Sequence, residues 1–442
     1  MEDLTENTPY KVTVQACDYS SNKSEFNLSK EFTTSMPLTG PGEWKIPDSE
    51  FVDYTAWPTP NIIKYREATG LTGYFLGFVT GADGKACWGG NLSIYDGDTG
   101  ETHDGDVTVS KYKKAEIKEL RDMGGEVIMS FGGASNAPIE EAGRIKIKNI
   151  QQIKEIYAKK VTKQTLNELE KELQKYLDKA DGINLSEVNS IIKYYTEKPS
   201  IETLTSNTSK IINIYLKAIE NYNLTYIDFD FEGGFLGNTA ALETHIAAIT
   251  EVIKQKPNLK ISYTLPVDGA PGLMGLNAAG EAFLIMLHEA GINPSLINAM
   301  SMEFGEGSSN NLFECVKLSI EGQEIPGDQN AVAHRGLHKQ IKEIYGDIWN
   351  DEEIYQHIGI CPMFGRNNNR KIFNLKDQAN LNTYAKEKGI KNLNGWDASR
   401  DMNPTKLDMD SDEPKPGSFG KLISEFSKFN DDEVEITGSC AA

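Results

Sequence analysis

From Phe51 onward the chain returns eight times to a short apolar run followed by a longer stretch with helical spacing, and this alternation restricts its fold more than any other feature. The runs are FVDYTAW, GYFLGFVT, EVIMSF, LTYIDFDF, LKISYTL, INAMSME, IGICPMF and NLNGWDA. Strands that alternate with helices pair mainly in parallel, because the chain must cross back before each new strand can run in the same direction. Eight such units over roughly 380 residues predict an α/β protein of the (β/α)8 TIM-barrel type, with its functional side chains at the C-terminal ends of the strands.

Two stretches stand outside that repeat. Ile145 to Ser200, with IQQIKEIYAKKVTKQTLNELEKELQKYL at its centre, is rich in Lys, Glu, Gln and Ile at helical spacing and falls between the third and fourth strands. It is expected to be a solvated helical insertion (145–200), with a cleft wall or a partner-binding arm as the alternative. Residues 1–36 include two alternating strands joined by a polar turn, with Tyr10, Val12 and Val14 on one face. They resemble the last third of a fibronectin type III module. Two strands alone are marginal in water, so the natural protein is expected to begin upstream of Met1. Residues 37–48, rich in Pro and Gly, read as a linker, 49–430 as the catalytic barrel and 431–442 as a tail.

Charge narrows the partners. Forty-five Lys and Arg against sixty-five Asp and Glu leave a formal charge of −20, so polyanions meet repulsion over most of the surface. Nucleic acid and anionic membrane are disfavoured, and a neutral polysaccharide is compatible. No run approaches the roughly 18 apolar residues of a membrane span, and Met1-Glu2-Asp3 does not open an export signal. The cysteines, Cys17, Cys87, Cys315, Cys361 and Cys440, have neither C-x-x-C nor zinc spacing.

The strongest local signal is Tyr226-Ile227-Asp228-Phe229-Asp230-Phe231-Glu232-Gly233-Gly234. Side chains alternate along a strand, so Asp228, Asp230 and Glu232 share one face while Ile227, Phe229 and Phe231 share the other. Three carboxylates on the inward face of a central strand repel one another and lose solvation, so some must share protons or find donors. The last of them would reach the strand's C-terminal end as a general acid with a raised pKa.

This strand resembles the D-x-x-D-x-D-x-E signature of glycoside hydrolase family 18, the chitinases and endo-β-N-acetylglucosaminidases. Other segments agree in order: Ser130-Phe131-Gly132-Gly133 on strand three, Leu265-Pro266 on strand five, Cys361-Pro362-Met363-Phe364-Gly365 on strand seven and Trp396 in GWDASRD on strand eight. TAWPTPN and WGGNL are similar to the bacterial chitinases of that family, and the resemblance covers about residues 50 to 430.

The resemblance implies a mechanism in which the substrate's 2-acetamido carbonyl, not an enzyme carboxylate, attacks the sugar. Glu232 would protonate the glycosidic oxygen and later activate water, with retention of configuration. Asp230 would orient the acetamido N–H, and Asp228 would share a proton with Asp230 and let it switch partners. Trp396 would floor the sugar site, and Met300, Met302, Phe304, Ser130, Gly132 and Gly133 would bind the substrate with it. No metal or organic cofactor is implied. The implied protein is a secreted monomer acting on chitin or N-acetylglucosamine oligosaccharides. N-glycan cores are the alternative substrate, and a chitin-binding lectin is the alternative outside the enzymes.

Two departures stand out. Thr225 occupies the signature's first Asp position. On strand six, MSMEF has Met302 or Phe304 where relatives carry a Tyr whose hydroxyl bonds the acetamido oxygen. Losing such a donor reduces the rate by about a hundredfold or more.

Other polar groups are read as structural. His334 and His338 have i, i+4 spacing without an acidic third ligand, and are assigned to a surface helix. Asp96, Asp98, Asp104 and Asp106 lie in a Gly-rich loop lacking calcium-loop register. Ser130 has no G-x-S-x-G turn and is expected to bond the neighbouring carboxylates instead of acting as a nucleophile.

Overall fold

Asparagines cap six of the described helices. Asn61, Asn238, Asn277 and Asn311 each accept a backbone N–H of the first helical turn, and Asn350 and Asn374 form reciprocal capping boxes with Glu353 and Asp377. Each cap satisfies a donor that the helix itself leaves unpaired, worth about 1 kcal/mol. The capped segments are Ile62–Thr69, Thr239–Gln255, Ala278–Glu289, Leu312–Glu321, Asp351–Gln356 and Leu375–Lys388.

The computed structural model describes residues 9–17, 23–33, 43–54, 60–82, 85–89, 92–101, 107–109, 111–134, 208–323, 335–409 and 414–431. The 145–200 stretch, most of TAWPTPN, Asp104, Asp106, His334 and the 432–442 tail lie outside the described residues. Pro9–Cys17 and Lys23–Thr33 pair antiparallel as a separate two-stranded sheet.

Each of the eight expected runs contains a strand. In chain order they are Ser49–Asp53, Gly73–Ala82, Glu126–Gly132, Tyr226–Asp230, Lys260–Asp268, Leu296–Met300, Ile358–Cys361 and Asn392–Leu393. They pair in parallel with their sequence neighbours, one to eight. The expected α/β class is therefore present. Strands eight and one meet through a single parallel bridge, Asp48 to Leu393, not a ladder. Two main-chain bonds reinforce it, Leu393 N–H to Pro47 O and Phe51 N–H to Gly395 O, each 3.0 Å.

The alternation sorts the core into two parts. Outward residues such as Ile227, Phe229, Ile261 and Tyr263 pack under the helices. Inward ones build a smaller cluster of Trp44, Ile46, Phe51, Phe75, Phe78, Ile128, Tyr226, Leu296 and Cys361, with Phe51 stacked on Phe75 at 4.6 Å. That inner packing is the floor on which the polar residues at the strand ends stand.

Candidate active site

Register delivers the donors that a buried carboxylate needs. Asp228, on strand four, lies directly across from Ser130 on strand three and Ser262 on strand five. Ser130 Oγ donates to its Oδ2 at 2.6 Å, while Ser262 Oγ and Thr264 Oγ1 donate to its Oδ1 at 2.6 and 2.9 Å. Burial raises the Asp228 pKa and these bonds restrain the rise, leaving it at about 6. The shared proton expected between Asp228 and Asp230 is not what this arrangement presents. Asp228 already has three hydroxyl donors, and Asp230 instead hydrogen-bonds Glu232.

Burial, then the Glu232 and Asp228 charges, then that hydrogen bond, push the Asp230 carboxyl well above its ordinary value. Two carboxyl groups this close favour a shared proton over two charges. The other oxygen, Asp230 Oδ1, is buried without a hydrogen-bond partner. An orphaned acceptor at this depth is unfavourable by about 1–3 kcal/mol and suits a ligand N–H.

Glu232 follows the strand in an extended conformation and leads into a tight 3-10 turn, Gly233–Gly237. Gly132 and Gly133 adopt φ of 109° and 83°. A Cβ on Gly132 would stand 2.1 Å from Asp230 O, and one on Gly133 would stand 2.6 Å from the Phe78 ring. Glycine here lets strand three press against the acidic strand.

Asp230 and Glu232 open into a cavity of about 720 Å³. Phe51, Phe78 and Trp396 line one part of it. Leu273, Met274, Leu276, Met300, Met302 and Met363 form an aliphatic wall, and Thr264, Asp268, Glu281, Glu303, Gln340 and Asn368 supply polar groups. Trp396 is half-buried and stacks on Phe78, with centroids 5.7 Å apart and planes at 18°.

The residues expected from the sequence thus separate. Glu232, Asp230, Trp396, Met300 and Met302 reach the cavity; Asp228 and Ser130 lie fully buried beneath it. Phe304 does not line it. It is 3% exposed and belongs to the main hydrophobic core, because Glu303 before it takes a left-handed φ of 52° that breaks the strand alternation. Glu303 is fastened there by the Asn368 and Asn369 N–H groups at 2.8 and 3.2 Å. Of the two strand-six positions, Met302 is therefore the one facing the cavity. No tyrosine stands among the cavity's described lining residues.

Thr264 and the wall from Val267 to Ala278 were not singled out by sequence reasoning, and Pro266 and Cys361 entered only within segments that carried the resemblance, without a role of their own. Alternating hydroxyls in KISYTL were the available signal for Thr264. The Cys361 thiol is buried, and burial followed by the Asp230, Asp228 and Glu232 charges raises its pKa far above the usual value. Asp96 pairs with Lys114 at 2.7 Å and Asp98 accepts Ser93 Oγ, while His338 stacks on Tyr355. Among the described residues no group of three His, Cys, Asp or Glu is placed to hold a metal, and no helix is long and apolar enough to cross a membrane.

The fold matches that of the catalytic domain of a hyperthermophilic chitinase from Pyrococcus furiosus, with a TM-score of 0.59 at 21% identity over 88% of this chain and 96% of that one. In sequence the chain is similar to a probable bifunctional chitinase/lysozyme from Escherichia coli (strain K12), 23% identical over 392 residues, 86% of this chain and 34% of that protein. It is also similar to endochitinase 11 of Metarhizium anisopliae, 24% identical over 357 residues, 80% of this chain and 52% of that protein. The chain thus spans about half or less of the length of these curated relatives. No family model matches it.

Proposed function

We propose that the chain is a glycoside hydrolase of family 18 and acts as a chitinase, a retaining and endo-acting hydrolase of β-1,4-linked N-acetylglucosamine. The observation that carries this reading is the placing of Asp230 and Glu232 side by side on the cavity wall, with a buried Asp230 oxygen left unpaired. A proton at Glu232 suits departure of the glycosidic oxygen. An unpaired acceptor next to it suits an acetamido N–H, whose carbonyl then attacks the anomeric carbon. Trp396 offers an aromatic face to the sugar ring. In the same reading the eight strands close as a (β/α)8 barrel, and the protein is a secreted monomer.

Two observations bear on the alternatives. The lack of a tyrosine on the described cavity wall favours weak turnover, as in a chitin-binding lectin, but a lectin has no need of the acid at Glu232. N-glycan cores carry the same acetamido group and remain the competing substrate. Incubation with chitin oligomers and, separately, with an N-glycoprotein, followed by product analysis, tests the proposal. Shortened chitin oligomers support it; released glycans with intact oligomers would replace chitin by N-glycans, and binding without products would make the protein a lectin.

A further inference from the structure

A line of oriented side chains runs inside the sheet from strand eight to Asp228. Asn394 Nδ2 donates to Asn298 Oδ1 at 2.8 Å, Asn298 Nδ2 donates to Thr264 Oγ1 at 3.0 Å, and Thr264 Oγ1 lies 2.9 Å from Asp228 Oδ1. Asn394 is itself tied to Asn392 Oδ1 at 2.6 Å, and Asn392 Nδ2 donates to Ile46 O and Ser49 Oγ. Asp228, Asn298, Asn392 and Asn394 are completely buried, and Thr264 nearly so.

The direction of the line follows from the chemistry of its members. An amide N–H can only donate, so Thr264 Oγ1 accepts from Asn298 and its single hydroxyl proton is left to donate to Asp228. Without Asn298, that hydroxyl is free to rotate and accept. The asparagine chain therefore selects the donor orientation two residues away, in a dry region where a fixed donor counts for more than it does in water.

We propose that Asn298, held by Asn394, is a positioning residue that locks Thr264 as a donor and so keeps Asp228 in its anionic form beneath the reacting pair. This rests on the hydrolase reading above and adds to it residues on strands six and eight that never touch the substrate. The titratable groups facing Asp228 are Asp230 and Glu232 from its own strand and Cys361 from strand seven, with Ser130 and Ser262 as its neutral partners. A fixed charge at Asp228 raises the proton affinity of the Asp230–Glu232 pair, where the acid proton is needed.

The test compares Thr264→Val, Thr264→Ser and Asn298→Leu with the unmodified chain, using the pH profile of chitin-oligomer hydrolysis and a carbon-13 carboxylate titration of the free protein. Removing a donor from a carboxylate raises its pKa. Thr264→Val and Asn298→Leu should therefore move the acid limb, and the Asp228 titration, upward by about one pH unit, a loss of about tenfold in rate below the limb. Above the limb the Asn298→Leu rate should converge on the parent's. Thr264→Ser, which keeps the hydroxyl, should hold the original limb. If Asn298→Leu does not fold by thermal melt, Asn298→Asp replaces it, and the same upward shift is expected. A shift with Thr264→Val but none with either Asn298 variant overturns the role of Asn298, and no shift in any variant overturns the line altogether. An unmodified chain that cleaves no oligomer defeats the hydrolase reading, while the carboxylate titration still decides the positioning claim.

Discussion

Asp230 and Glu232, two residues apart on one strand, are hydrogen-bonded to each other at the cavity rim although both are acids. Repulsion between two charges so close favours a shared proton, and Glu232 is the outer, half-exposed member of the pair. The expectations below follow from this pair and the residues around it.

Glu232→Gln should abolish turnover of N-acetylglucosamine oligomers, by at least about 10²-fold, while leaving affinity within about tenfold. The amide keeps shape and most hydrogen bonds but has no proton to give. Product chromatography and calorimetric binding check the two halves separately, and unchanged hydrolysis removes Glu232 from the mechanism.

If the substrate's own acetamido oxygen attacks, a cyclic thiazoline mimic of the intermediate should inhibit competitively, with Asp230 opposite its charge. Cellulose oligomers, which carry only a hydroxyl at that carbon, should be inert. Rapid cleavage of a cellulose oligomer would direct attention to a nucleophilic carboxylate about 5 Å from Glu232.

Trp396→Ala should weaken oligomer binding by roughly 1–3 kcal/mol, since it removes the aromatic face that Phe78 and Phe51 support from beneath. Titration calorimetry measures this; equal affinity in both proteins makes Trp396 only a packing residue.

On strand six the two tyrosine substitutions should diverge. Met302→Tyr places a hydroxyl on the cavity wall and should raise the rate by about tenfold if the donor is what the site lacks. Phe304→Tyr buries a hydroxyl in the apolar core and should cost about 1–3 kcal/mol of stability without a gain in rate. Steady-state rates and thermal melts separate the outcomes, and a faster Phe304→Tyr reverses the assignment of the two positions.

Stability should decline as pH rises from about 4 through about 6. Glu50 is 1% exposed, hydrogen-bonds Asp401, and has its pKa raised well above the ordinary value, first by burial and then by the Asp401 and Asp397 charges. Between the ordinary and the raised pKa the folded state binds more protons than the unfolded one, so stability is lost with increasing pH in that window. Asp228 and Asp397, both raised to about 6, act in the same direction. Glu50→Gln keeps a donor for Asp401 without an ionisable group and should flatten the decline in melting temperature. An identical slope in both proteins would show that Glu50 does not titrate in this range.

What was legible in the sequence was what local periodicity carries. Alternation along TYIDFDFE assigned the three acids to one face, and the eight apolar runs placed the parallel strands, because strand geometry is set by near neighbours. The tertiary structure alone decided which acid bonds which. Asp228 takes its donors from residues 98, 34 and 36 positions away, and those donors leave Asp230 to Glu232. It also decided that Met302 faces the cavity while Phe304 joins the core, since the left-handed turn at Glu303 is held by main-chain groups of Asn368 and Asn369, some 65 residues further on. Side-chain period reaches only along one strand; proton sharing and cavity lining depend on distances across several, and those exist only once the strands have packed.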